Sequence, residues 1–309
     1  MKRFILLLIF VLGSFILAYS QEKLNYVEKN LVSAKEEVKV SEEGELIAPL
    51  VSPSGKFLAF SKDNYKGIYI LSLSDGKVIQ ITDLDGAGFG FEWQGYEDII
   101  AFRGSVGNLR RKHLICVAHT DGSIEVSSPL LEMVSLPIFI NRDLVFAVWG
   151  KKESLKIVGP TRNETCSYKL FMASPEGEIV CFNGEKTEKR KESKVFFLPR
   201  YSKDGKKFLV HSLDGGIYLG SVEDGSLKKI AEGSNGRFAK EDSAIIFEKT
   251  KDDGHRIIES DIFLYDLKNE TLFQLTDTKE IIERMPAMAE DGHTLYWSED
   301  GKIMRGWVK

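Results

Sequence analysis

Seven residues stand two to four positions ahead of a strand pattern that recurs along this chain: Glu45, Phe89, Ser135, Phe196, Ser234 and the neighbours Glu283 and Arg284. Two aromatics together with both signs of charge suit the gripping of a peptide or protein surface, where aromatic and Arg anchors dominate contact energy, better than they suit bond breaking. Arg200 and Arg237 follow the same point in two of the repeats; they either face a common axis or pack between repeats. The motifs of catalysis are missing from the sequence. There is no Gly-x-Ser-x-Gly elbow, no His-Glu-x-x-His, no phosphate-binding loop and no dinucleotide fingerprint. His113, His119, His211, His255 and His293 are scattered without metal-ligand spacing. The stretch "TDLDGAG" at residues 82–88 gathers carboxylates but lacks the bidentate Glu at position 12 of an EF-hand loop, so it reads as a turn between repeats. No cofactor, no metal and no enzymatic activity are expected.

The elements that must position these residues are legible from turn chemistry. In "APLVSPSGKFLAFSKDNYKGIYILSLSDGKVIQITD", residues 48–83, short apolar runs are cut by Pro53-Ser54-Gly55, by Asp63-Asn64 with Gly67, and by Asp75-Gly76. Pro fixes one φ, Gly tolerates φ > 0 and Asp-Gly suits a tight hairpin, so the stretch predicts a four-stranded antiparallel meander. A sheet of that size cannot bury both faces alone. Further copies follow at residues 198–230, 236–277 and 285–306, with two more worn ones at 91–127 and 136–182. Aligning Pro49, Phe91, Pro137, Pro199, Gly236 and Pro286 gives steps of 42, 46, 62, 37 and 50 residues, near the roughly 40 to 50 of a propeller blade. The expectation is an all-β fold, a six-bladed β-propeller of four-stranded antiparallel blades over residues 48–309. The last copy stops after its third strand, and an open outer edge invites aggregation. Residues 21–47, with the alternating run Glu37-Val38-Lys39-Val40, are therefore expected to supply an N-terminal outer strand that closes the ring.

Tyr69, Tyr218 and Phe263 recur at one repeat position and Trp93 and Trp297 at others, which assigns all five to packing. A hairpin turn at Pro175-Glu176 would set Cys181 opposite Leu170 and leave Cys166 four residues further along. At strand rise that is more than roughly 10 Å, beyond disulfide reach, so Cys116, Cys166 and Cys181 are expected to be structural thiols.

Several of these segments resemble the TolB-like β-propellers. Ser52-Pro53-Ser54-Gly55 with Ala59-Phe60 and Ile68-Tyr69, Ser202-Lys203-Asp204-Gly205 with Ile217-Tyr218, and Ile262-Phe263-Leu264-Tyr265-Asp266-Leu267 carry the resemblance, which covers about residues 48–306. It implies a propeller of the cell envelope that binds a protein or peptide partner at the mouth of its central channel. TolB itself has an α/β domain before its propeller, and residues 21–47 are too short for one. Propeller gates of prolyl oligopeptidase type are similar as well, but those enzymes need a hydrolase domain for which no room is expected. An axial hydrolase, lyase or lactonase, or a glycan-binding module, stands as the alternative.

The first twenty residues carry Lys2-Arg3, an apolar run over 4–17 and the small-x-small pattern Ala18-Tyr19-Ser20. These are the three parts of a secretory signal, shorter than the roughly 20 apolar residues of a spanning helix. An extracytoplasmic, periplasmic or secreted monomer without a membrane span is expected. Without Lys2 and Arg3 the chain has 40 basic and 46 acidic residues, which gives no general reason to bind nucleic acid. Two basic runs remain. Arg110-Arg111-Lys112-His113 is expected to begin a strand, and residues 186–194, broken by Glu188 and Glu192, to be a solvated loop.

Overall fold

The computed structural model describes residues 26–107, 110–149, 155–158, 169–182, 187–190 and 194–309. Residues 1–20, expected to be an export signal, lie outside them, as do Cys166 and most of the excursion at 151–167. Among the described residues the chain forms an all-β propeller with five four-stranded antiparallel blades, where six were expected. The first blade is Leu46–Val51, Phe57–Lys62, Ile68–Ser72 and Val78–Thr82, and the second is Glu92–Trp93, Ile99–Val106, Lys112–His119 and Ile124–Val126. The third runs Phe196–Tyr201, Lys207–Ser212, Gly216–Ser221 and Leu227–Glu232, and the fourth Ser234–Ala239, Ala244–Asp252, Ile257–Asp266 and Thr271–Gln274. The fifth takes Glu283–Met288, Thr294–Glu299 and Lys302–Val308, with Val32–Glu37 pairing antiparallel to Lys302–Val308 as its fourth strand. That strand lies earlier than the alternating run read from the sequence, of which it includes only Glu37. Just ahead of it, Tyr26–Lys29 pairs parallel to Thr271–Gln274 on the fourth blade.

Among the described residues, 136–182 do not show the expected four-stranded blade. Asp143–Trp149 pairs on one side with Ile138–Ile140 and on the other with Leu155–Val158, a strand drawn from the excursion. Leu170–Ala173 joins Ile179–Phe182 and Thr187–Arg190 in a separate three-stranded sheet. A strand edge offers one row of backbone donors and acceptors, and the partner reached by the shorter loop closes at the smaller entropic cost. The nearer Leu155–Val158 therefore takes the edge that Leu170–Ala173 would have needed. Part of the charged run expected as a solvated loop is strand, at Thr187–Arg190. Cys181 pairs with Phe171, one position from the expected Leu170; Cys116 and Cys181 are both buried.

The turns follow from their side chains. Asp75, Asp121, Asp204, Asp224, Asp266 and Asp291 each accept a backbone N–H two residues on, the side-chain mimic of a turn that Asp favours. Ser52 and Ser202 accept the N–H of Phe57 and Lys207 across the first turn of their blades. Between the turns, apolar faces of neighbouring blades interlock. Leu58, Phe60 and Tyr69 pack with Tyr296 and Ile303, so the fifth blade meets the first; Ile246 and Ile262 pack with Leu295 and Trp297 between the fourth and fifth. Tyr69, Tyr218 and Phe263, equivalent in the repeat, each carry a lysine over the ring, Lys62, Lys194 and Lys249, at 4.7, 5.6 and 4.9 Å.

The innermost strands share a distortion. The first, third, fourth and fifth blades have a register shift spanning Ala48, Leu198, Asn235 and Met285, and each of these residues has φ between 50° and 54°. Ala, Leu and Met meet a steric cost of about 1–2 kcal/mol there, and three of the four precede a proline. Ala48→Gly should accordingly stabilise the fold by about 0.5 kcal/mol once the looser unfolded chain is offset. Ala59→Gly, mid-strand and fully buried, should instead cost about 1 kcal/mol; thermal unfolding of the two variants checks both signs.

Candidate functional site

Residues of the four bulges line one cavity near the centre of the ring. A small cavity of about 30 Å³ sits among Ala48, Pro49, Leu198, Asn235 and Met285, with Tyr65, Phe89, Arg200 and Arg237 completing its wall. Arg200 and Arg237 thus face the axis. They also line a second cavity of about 150 Å³ together with Glu92, Trp93 and Lys203, so they stand between the two. Arg200 Nε donates to Glu92 Oε1 at 2.8 Å and its Nη1 to the Gly236 carbonyl at 3.3 Å. Arg237 Nη1 is 3.8 Å from the same Glu92 oxygen. Burial first, then the charge of Arg200, lowers the Arg237 pKa to about 9, with Glu92 opposing. The same surroundings hold His211 neutral: burial and then Arg200 bring its pKa down to about 3, and its Nε2 accepts the Gly236 N–H at 2.8 Å.

A second charged group lies beside this one. Glu248 is fully buried and accepts from Asn235 Nδ2 at 2.9 Å, from Arg284 Nε at 3.3 Å and from the Met285 N–H. Burial raises its pKa, and Arg284 is the first of the groups that oppose the rise. Three guanidiniums, Arg200, Arg237 and Arg284, therefore face two carboxylates near the axis, an excess of one positive charge.

Next to the axis the surface changes character. A cavity of about 430 Å³ runs between the second and third blades, lined by Phe89, Met133, Ser135, Trp149, Val195, Phe196, Phe197, Leu198 and Leu213 among others. Its rim is apolar and open to solvent: Leu213 is 72% exposed and Met133 45%, and Val195 and Phe197 are exposed as well. Leu213 is held there by the turn that carries it. Its N–H donates to the Val195 carbonyl at 3.1 Å, and the next residue, Asp214, is paired with Lys194 and accepts from Ser212, which lowers the Asp214 pKa to about 2. The charged and titratable part of the wall is Arg103, His113 and Glu132. Arg103 donates to the Val134 carbonyl at 2.9 Å, while burial and then Arg103 lower the His113 pKa.

Of the seven residues singled out in the sequence, Phe89, Ser135 and Phe196 line this groove. Phe89 reaches the small axial cavity too, edge-on to Tyr65 at 5.2 Å. Phe196 is buried and packs edge-on to Tyr218. Arg284 stands on the axial side through Glu248. Glu45 is exposed beside Gly301, and Ser234 pairs across its blade with Glu248; neither lines the groove. Glu283 is fully buried, paired in register with Glu299. Sequence reasoning missed Met133, Val195, Phe197 and Leu213. One signal was available: Leu213 is an apolar residue inside "SLDGG", a turn in which every other residue is small or polar.

No family model and no curated protein matches the chain. Among solved structures the fold is similar to TolB from Acinetobacter baumannii, 12% identical with a TM-score of 0.53 over 79% of this chain and 57% of that one. It is similar to the β-propeller domain of Cps50 (Swd1) from Myceliophteria thermophila, 11% identical with a TM-score of 0.56 over 89% of this chain and 100% of that one. An oligogalacturonate lyase from Vibrio parahaemolyticus matches at 12% identity with a TM-score of 0.49 over 88% and 80%. At these identities the likeness is one of fold. The chain spans little more than half the length of the TolB structure. No helix among the described residues is long and apolar enough to cross a membrane.

Proposed function

We propose that the chain is an extracytoplasmic, non-enzymatic propeller that binds a protein or peptide partner of the cell envelope in the groove beside its channel mouth. Val32–Glu37 closes the ring as outer strand of the last blade in this reading, and residues 1–20 direct export. The observation that carries the proposal is the groove's apolar rim. Met133, Val195, Phe197 and Leu213 leave contiguous hydrophobic surface in water, a cost that a bound partner removes, and aromatic and aliphatic anchors of this kind dominate binding energy when they are desolvated. The TolB-like sequence motifs and the fold likeness to TolB are compatible with an envelope role.

Leu213 and Phe197 are exposed, so replacing them should weaken binding while leaving stability within about 0.5 kcal/mol. Leu213→Glu and Phe197→Ser are each expected to reduce partner affinity at least 10-fold. The check is capture from a cell-envelope extract on immobilised mature chain, with each variant run in parallel and its melting curve recorded. Species retained by the parent and lost by both variants support the proposal; retention that ignores the rim, or none at all, defeats it.

A further inference from the structure

The groove and the small axial cavity are neighbours: Phe89 and Leu198 belong to the walls of both. One end of a continuous surface is therefore apolar and the other is cationic. The axial cavity has room for a polar head group and little more. Its charged lining is Arg200 and Arg237, with no carboxylate in the wall. Glu92 approaches from the far side and is engaged by Arg200; Glu248 lies behind Asn235 and is engaged by Arg284. Arg237 makes no side-chain hydrogen bond among the described residues, and its nearest carboxylate oxygen is 3.8 Å away. Five N–H donors in a fixed fork, in a place where burial is already unfavourable for the charge, are poorly satisfied by the protein itself.

We infer that the axial cavity binds the C-terminal carboxylate of a peptide whose last side chains lie in the adjoining apolar groove. The inference rests on the groove reading above and adds the chemistry of the partner's end. A guanidinium fork matches a carboxylate bidentately. The excess of one positive charge over Glu92 and Glu248 is balanced by a monoanion, whereas a phosphate dianion would overshoot it. The axial position also fits an end and not the middle of a chain, because the cavity is too small to let a backbone pass through. A bound carboxylate would reverse the depression of the Arg237 pKa that burial and Arg200 impose.

The test is a randomised hexapeptide library prepared twice, as free acids and as C-terminal amides, titrated against the mature chain by fluorescence anisotropy, with decanoate as a non-peptide carboxylate. Free acids with apolar ends are expected to bind at least 10-fold tighter than their amides, Arg237→Gln to erase that difference, and Arg237→Lys to restore part of it. The acid–amide comparison on the parent protein decides the matter even if a variant fails to fold. Acids and amides binding equally well would overturn the inference and leave the groove reading standing. Binding of neither would remove both. Decanoate binding that depends on Arg237, with no peptide binding, would overturn the peptide terminus in favour of a free aliphatic acid.

Discussion

Glu92→Ala is expected to cost about 3 kcal/mol of folding stability, because removing one partner from a buried ion pair leaves the other charge uncompensated. Glu92 holds Arg200 at 2.8 Å and stands 3.8 Å from Arg237; without it two largely buried guanidiniums lie close together without that anion. Denaturant unfolding measures the loss directly, and it should appear in the midpoint with an unchanged slope. A double change, Glu92→Leu with Arg200→Met, should recover most of it, since replacing both partners with apolar groups of similar shape is often close to neutral. A loss for Glu92→Ala below about 0.5 kcal/mol, the size of an ordinary surface change, would mean that channel water already solvates both arginines.

The second large effect is one of pH. Neither carboxyl oxygen of Glu283 meets an ordinary hydrogen-bond donor among the described residues. Burial raises its pKa to about 7 from an ordinary 4.5; the nearby Thr276 hydroxyl offsets part of this and Glu299 adds to it. The folded chain therefore binds the proton more tightly than the unfolded one. Between pH 4.5 and 7 it holds more protons folded than unfolded, so stability should fall as pH rises through that window, by about 3 kcal/mol in all, and level off above it. Glu283→Gln cannot ionise. It should remove the slope and melt higher than the parent at pH 8, by several degrees for a chain of this size. Melting temperatures at pH 5 and pH 8 for both proteins decide it: a parent curve that rises with pH over this range would contradict the assignment.

The blades were readable because their turns are local events. Ser52, Asp204, Asp75 and Asp224 act on backbone groups a few residues away, so their spacing announces strands regardless of what packs on top. The blade expected at 136–182 turned on a competition between a near strand, Leu155–Val158, and a far one, Leu170–Ala173, for one edge, and the turn signals alone do not rank the two. The positive φ of Ala48, Leu198 and Met285 was equally hidden, since a residue before proline ordinarily favours extended backbone, and only the ring as a whole imposes the bulge. The groove was half visible: Phe89, Ser135 and Phe196 could be placed by counting back from each blade. Phe197 and Leu213 could not, because which face of a strand or turn meets solvent depends on the neighbouring blade. The charged cluster joins Glu92, Arg200, Gly236 and His211, whose separations in sequence give no hint that they touch.

Residues 26–37 lie along the outside of two different blades. Tyr26–Lys29 runs beside Thr271–Gln274, the chain passes Gln274 and Leu275 through the N–H groups of Asn30 and Val32, and Val32–Glu37 then runs beside Lys302–Val308, where Leu31 accepts the Lys309 N–H. One short piece of backbone thus belongs to both edges at once. It ties the outer edges of the two blades together, beside the Ile246, Ile262, Leu295 and Trp297 packing that already joins them. The amides of the fourth and fifth blades are therefore expected to exchange with solvent together rather than blade by blade, which hydrogen exchange on the parent chain would check.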